Sequence, residues 1–67
     1  MGSFSELDIV RLRYDTADGE TVLRQGTLGT IVLVDNEGEA YEVEFAEPVG
    51  TLWTLGPLDI VPIADAA

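Results

Sequence analysis

Residues 31–46 read IVLVDNEGEAYEVEFA, and this stretch decides the fold class. Its second half alternates apolar with acidic side chains, Tyr41, Val43 and Phe45 against Glu42 and Glu44. Such alternation places the apolar residues on one face of a β-strand and the carboxylates on the other. Because residues 35–39 are rich in turn-forming types and follow an apolar run, they predict a tight hairpin. The expected result is an antiparallel pair with one face in the core and one in water.

Similar short apolar or β-branched runs lie on both sides of this hairpin, and no segment has sustained helical periodicity. Turn signals separate the runs, which is the pattern of a small barrel or sandwich. The sequence therefore predicts an all-β fold, a small five-stranded SH3-like barrel. The 67 residues allow one domain, 1–67, with residues 1–5 and 64–67 expected to be frayed.

Several local expectations follow from the remaining segments. The run 8–14 places Val10, Leu12 and Tyr14 on one face of a strand. The polar segment 15–21 is expected to be an exposed loop. Gly26 and Gly29 are expected to supply a positive φ or a close approach of two backbones. A second turn is expected at 47–50, and residues 58–60 leave room for one 3₁₀ turn. Residues 61–63 contain a proline, so they are expected to form an edge or terminal strand.

The chain is strongly acidic. Thirteen acidic residues face three arginines and no lysine, which gives a formal net charge of −10. Nucleic acids and anionic membranes attract proteins through lysine and arginine, so neither is an expected partner. A basic protein partner, or solubility alone, fits the composition better. No apolar run is long enough for a membrane span, and the N-terminus lacks signal-peptide features, so we expect a cytoplasmic protein.

The composition also argues against catalysis. The chain has no histidine or cysteine to serve as a nucleophile or base, and no lysine to form a Schiff base. Thiolate and imidazole ligands for transition metals are missing too. Asp35, Glu37 and Glu39 do not follow the calcium-loop pattern, which requires twelve residues ending in a bidentate Glu. We expect no catalytic residues, no cofactor and no metal.

The candidate partner-binding residues are the single tryptophan and the carboxylates around the hairpin: Trp53, Glu37, Glu39, Glu42 and Glu44, with Glu47 beside them. Tryptophan is enriched at binding hot spots, and SH3-type grooves dock extended peptides on aromatic side chains. The alternatives are that Trp53 packs under segment 15–21 and that the carboxylates form a solvated face protecting a strand from edge pairing. In a regular strand Leu52 and Trp53 point to opposite faces.

These observations predict a non-catalytic interaction module that binds a protein partner or a second copy of itself, through the Trp53 face and the acidic hairpin. One alternative is an immunity protein or antitoxin whose acidic surface mimics phosphates and blocks a basic nuclease. Another is an accessory subunit of a larger enzyme.

The order of strands and turns is similar to that of SH3-like barrels. Within it, Gly29–Val34 resembles the glycine-then-valine strand of KOW-type barrels and of the small barrel protein of photosystem I. A broader resemblance is to a family of short bacterial proteins of unknown function. Four segments carry it: 6–12, 26–32, 40–45 and 58–63. This resemblance implies the fold, and it assigns no activity or site residues. The KOW likeness implies nucleic-acid or ribosome work, from which the charge of this chain departs.

Overall fold

A computed structural model describes residues 4–46 and 51–63. The described chain is all-β, with seven strands, one short 3₁₀ turn and no α-helix. In chain order these are β1 (Ile9–Leu12), β2 (Thr16–Asp18), β3 (Thr21–Leu23), β4 (Leu28–Asp35), the 3₁₀ turn (Asn36–Gly38), β5 (Ala40–Phe45), β6 (Thr51–Leu55) and β7 (Ile60–Pro62).

Five of the strands form one antiparallel sheet in the order β6-β5-β4-β1-β7, and β2 and β3 form a separate two-stranded sheet. The all-β prediction and the five antiparallel strands are confirmed. The sheet does not close into a barrel, because within the described residues β6 and β7 each pair with only one neighbour. The first and last strands lie side by side, with Leu12 opposite Ile60.

The predicted hairpin joins β4 to β5. Its turn contains three successive residues of positive φ: Asn36 at 50°, Glu37 at 59° and Gly38 at 102°. Asparagine and glycine tolerate this region well, so the sequence suits the turn at two of its three positions. The β4–β5 register shifts between Ile31 and Leu33, which is the sign of a β-bulge.

The core lies on one face of the five-stranded sheet and takes one residue from the β2–β3 hairpin. Its members are buried: Val10, Leu12, Leu23, Ile31, Tyr41, Val43, Phe45, Leu55 and Ile60. The alternation in β5 and the inward positions of Val10 and Leu12 are therefore confirmed. Tyr14 is instead 48% exposed. Strand β1 ends at Leu12, and beyond that point the alternation no longer fixes the face.

Segment 15–21, expected to be a loop, contains β2 and the start of β3. The prediction of a loop was wrong because Thr16, Asp18 and Thr21 give these short strands no apolar alternation. The hairpin is held at its base by Asp15, whose Oδ1 accepts the Gln25 N–H at 2.7 Å. It is anchored to the core by Leu23, while Val22 remains 52% exposed.

The two glycines before β4 behave differently from each other. Gly26 has a φ of +89°, the left-handed region that glycine enters without steric cost. Gly29 lies on the inner face at a close approach to β5. One glycine thus supplies the turn and the other the close approach, and both of the expected roles occur.

The last strand is an edge strand, as its proline predicted. The turn before it is closed by the Asp59 N–H, which donates to Gly56 O at 3.1 Å, while Asp59 Oδ2 accepts the Gly56 N–H at 2.8 Å. This single i→i+3 bond closes a turn but does not form the 3₁₀ turn expected at 58–60. The 3₁₀ turn of the described chain lies in the β4–β5 hairpin. The turn expected at 47–50 and the tail 64–67 lie outside the described residues.

Phe4, placed by the sequence in a frayed terminus, packs on the core. Its ring meets the Tyr41 ring edge-on, with centroids 5.4 Å apart. Its N–H donates to Tyr41 Oη at 3.2 Å. Tyr41 is 1% exposed, so this hydroxyl has little access to water. Phe4 is therefore held against the core by one ring contact and one hydrogen bond.

We expect Tyr41→Phe to lower the free energy of unfolding by about 0.5–1.5 kcal/mol, because it deletes one hydrogen bond and leaves the Phe4 N–H without its acceptor. Urea unfolding followed by tryptophan fluorescence measures the change. Tyr14→Phe is the matched control, since Tyr14 is 48% exposed and lies outside the core. An equal loss in both variants would contradict the role assigned to the Tyr41 hydroxyl.

Candidate partner-binding surface

The register of the sheet separates Trp53 from the acidic residues of β5. Residues directly opposite each other in an antiparallel pair share a face. Trp53 lies opposite Val43, which is fully buried, so the tryptophan is on the core face. Glu42 lies opposite Thr54, and Glu44 lies opposite Leu52. The structure therefore does not bring Trp53 together with Glu42 and Glu44 on a single surface.

Trp53 itself is half-buried and packs against the core cluster. Its neighbour Leu52 points the opposite way and is 55% exposed. Ala17 of β2 lines the same recess as these two residues. Trp53 thus lies at the border between the core and the β2–β3 hairpin, which agrees better with packing under segment 15–21 than with an exposed aromatic platform.

The acidic residues of the hairpin occupy two different places. Glu37 and Glu39 are exposed in and beside the turn, at the end of the sheet. Glu42 and Glu44 lie along β5, and Glu47 is outside the described residues. Strand β5 lies between β4 and β6, so its carboxylates do not protect a sheet edge. The interpretation that these carboxylates protect a sheet edge was wrong, because the sequence of a strand does not show which strands will lie on either side of it.

The face opposite the core, here called the outer face, carries both apolar and charged side chains. Its members are Ile9 and Arg11 from β1, Leu28, Thr30 and Leu33 from β4, Glu42 and Glu44 from β5, Leu52 and Thr54 from β6, and Val61 from β7. Four of the large apolar residues, Ile9, Leu28, Leu33 and Leu52, each expose at least 41% of their surface. Apolar residues scattered singly on a surface are common, but Ile9 and Leu28 line the same groove, which makes that part of the outer face the candidate interaction surface.

A groove of about 430 Å³ crosses the outer face near the end of β5. Ile9 and Leu28 supply apolar walls, Glu44 supplies a carboxylate, and the backbone of Gly29 contributes to the lining. Ligand sites of this size combine apolar surface with a few polar groups that fix orientation. The groove offers room for an apolar side chain next to a negative charge.

No cation balances Glu42 or Glu44 within the described residues. Their cross-strand neighbours are leucine and threonine: Leu33 and Thr54 for Glu42, Thr30 and Leu52 for Glu44. The outer-face Arg11 donates from Nη1 to Gly26 O at 2.9 Å, and its Nε is buried without a hydrogen-bond partner. Arg24 faces Asp15 at 4.0 Å, with both side chains well exposed. Glu44 is exposed and Glu42 half-buried, and within the described residues neither carboxylate is balanced by a cation.

Leu7 is a feature that the sequence analysis missed. It has a φ of 74°, a region that costs a leucine conformational energy, and 78% of its surface is exposed. Its N–H donates to Ile31 O at 2.7 Å, which extends the β1–β4 contact to residues before the start of β1. The conformation is imposed by this pairing and has no signal in the sequence, where asparagine or glycine would be the usual choice.

The described part of the chain offers neither a carboxylate cluster for a metal nor a long apolar helix. In 4–46 and 51–63 no three carboxylates come close enough to hold a metal ion. Over the same residues, no helix is long and apolar enough to cross a membrane.

Comparison with known families gives one match. Residues 6–60 match the family model described as Domain of unknown function (DUF4926). The chain belongs to this family. No curated protein and no solved structure matches the chain closely enough to indicate a relative. The DUF4926 match agrees with the expected family of unknown function, and it assigns no site residues, so the surface described above rests on geometry and charge alone.

Proposed function

We propose that this DUF4926 chain is a non-catalytic protein-interaction module that binds a basic protein partner on the outer face of its sheet. The observation that carries the proposal is the groove between Ile9, Leu28 and Glu44. It offers apolar contact area and, beside it, a carboxylate whose cross-strand neighbours are uncharged. A partner that presents an apolar side chain next to a lysine or arginine satisfies both features.

Charge favours such a partner over a second copy of the chain. Two copies would each bring a net charge of −10 to the contact. The outer face offers one arginine in return, and that side chain already donates to a main-chain carbonyl. A charge-assisted hydrogen bond contributes about 1.5–3 kcal/mol. A partner lysine or arginine that pairs with Glu44 would therefore strengthen binding by about that free energy. Complementary charge also raises the association rate and selects against acidic competitors.

The charge-reversal variant Glu42→Lys/Glu44→Lys tests the proposal. We expect it to weaken partner binding about tenfold or more, which corresponds to the loss of about 1.4 kcal/mol. Immobilised protein captures partners from cell extract, mass spectrometry identifies those that the variant loses, and a binding titration with the purified partner gives the affinity ratio. Binding should also weaken as salt is raised, because the contact is near the surface.

The matched control is Glu37→Lys/Glu39→Lys, which changes the net charge equally but lies at the turn, away from the outer face. Retention of the partner by this control, together with its loss in the β5 variant, supports an outer-face site. Equal losses in both variants would mean that only net charge matters, and would contradict the site. The identity of the captured protein distinguishes a nuclease that is inhibited from an enzyme that gains a subunit.

We also propose that the sheet is part of an SH3-like barrel. Two features support this finer assignment: β1 lies between β4 and β7, and Leu23 of the β2–β3 hairpin joins the core of the five-stranded sheet. The hairpin therefore folds over the inner face, where a barrel would place it. Nuclear Overhauser contacts between the hairpin and β6 in solution test this arrangement, and a hairpin detached from the sheet would contradict it.

A further inference from the structure

The two edges of the sheet differ in how they are protected. Strand β7 has three residues and contains Pro62, which cannot donate to a neighbouring strand. Strand β6 has five residues, Thr51–Leu55, with no proline, glycine or charge. Natural edge strands are usually short, charged, bulged or proline-bearing, because an unprotected edge accepts another strand. Within the described residues, β6 is the edge that lacks these features.

A recess of about 380 Å³ lies beside this edge. It is lined by Leu52, Trp53 and Thr54, and on the other side by Ala17 of β2. Consecutive residues of a strand point to opposite faces. A recess lined by three of them in a row therefore lies along the edge, where the backbone is within reach. Ala17, which is small and exposed, lines the recess together with them.

The charges around the recess indicate which kind of strand fits. Glu42 and Glu44 lie on β5, two strand spacings or about 10 Å from an added strand. That separation exceeds the Debye length of about 8 Å at physiological salt, so these two carboxylates attract basic residues on the added strand mainly at low salt. The net charge of −10 is what favours a basic segment over an acidic one. A second copy of this chain, at −10 and without lysine, is a poor occupant.

We propose that the edge of β6 binds an extended, basic segment of a protein partner by strand addition, in the recess between Leu52–Thr54 and Ala17. Backbone hydrogen bonds to β6 give affinity, and alternate side chains of the added segment give selectivity. This inference rests on the proposed interaction function and specifies how one partner segment is held.

The sole tryptophan lines the recess and serves as the reporter. The probe is a short peptide that alternates lysine and threonine, compared with an alternating glutamate–threonine peptide and with the lysine peptide N-methylated at alternate residues. We expect the lysine peptide to shift Trp53 emission saturably and to perturb the amide resonances of residues 52–54. The other two peptides should bind at least about tenfold more weakly, because one has the wrong charge and the other cannot complete the ladder. Equal binding of the N-methylated peptide would overturn strand addition.

A variant with a filled recess provides the second test. Ala17→Ile adds a β-branched side chain at an exposed strand position and should reduce lysine-peptide affinity about tenfold or more without unfolding the protein. Ala40→Ile makes the same change at the start of β5, outside the recess, and should keep full affinity. If Ala17→Ile binds like the wild type, strand addition at β6 is wrong. A loss of the captured partner in Glu42→Lys/Glu44→Lys would still support the interaction module, so the two proposals fail separately.

Discussion

Phe45→Ala should lower the free energy of unfolding by about 3–5 kcal/mol, the range measured for removing a buried aromatic side chain. Phe45 is 0% exposed and lies on β5, the second strand in from the β6 edge. A globular chain of this length has a total stability of roughly 3–10 kcal/mol. The single substitution therefore removes about a third or more of the stability, and a wild type near the lower end of that range would be left largely unfolded at room temperature.

Urea unfolding monitored by Trp53 fluorescence and by circular dichroism measures this loss. Leu52→Ala is the control on the neighbouring strand, since Leu52 is 55% exposed and should change stability by no more than about 0.5 kcal/mol. A Phe45→Ala variant that unfolds within about 1 kcal/mol of the wild type would mean that the core is not organised around β5.

The role of Phe45 illustrates what the sequence contains locally. Tyr41, Val43 and Phe45 alternate with carboxylates, and a one-residue slip would place those carboxylates in the core. The inner face of β5 was therefore predictable without a structure, and so was the hairpin before it. Val10 and Leu12 were assigned correctly for the same reason, whereas Tyr14 was misassigned because β1 ends two residues earlier.

The candidate site was harder to predict because it depends on pairing between distant segments. Trp53 could face either way until its register opposite Val43 was known. The unprotected edge was also not predictable from the sequence. The segments of β5 and β6 both have the pattern of regular strands, and only the strand order shows that β6 is at the edge of the sheet. The groove beside Glu44 needs Ile9 and Leu28, which come together through the β1–β4 pairing. The composition predicted an acidic surface. It did not predict that the carboxylates would be divided between the β4–β5 turn and the outer face of the sheet.

Gly29→Ala is the second prediction with a large effect. A Cβ at this position would lie 2.6 Å from Val43 Cγ1, 2.7 Å from Phe45 Cε1 and 2.8 Å from Phe45 Cδ1. Val43 and Phe45 are both fully buried, so neither side chain can move aside without displacing the core. Overpacking of this kind costs about 1–3 kcal/mol, which exceeds the gain of about 0.4–1 kcal/mol from a less flexible unfolded chain. We expect a net loss of stability in urea unfolding.

Gly56→Ala is the control, because its Cβ would meet only Asp59 Oδ2 at 3.5 Å and its backbone has no positive φ; it should be neutral or slightly stabilising.

The double variant Gly29→Ala/Phe45→Leu identifies the cause of the Gly29 effect. Leucine has no Cε1, the Phe45 ring atom closest to a Cβ at residue 29, so part of the alanine cost should disappear in the Phe45→Leu background. The expected coupling energy is about 0.5–3 kcal/mol in the favourable direction. Additive costs would place the origin of the Gly29 effect in the contact with Val43 or in the backbone, and not in the contact with Phe45.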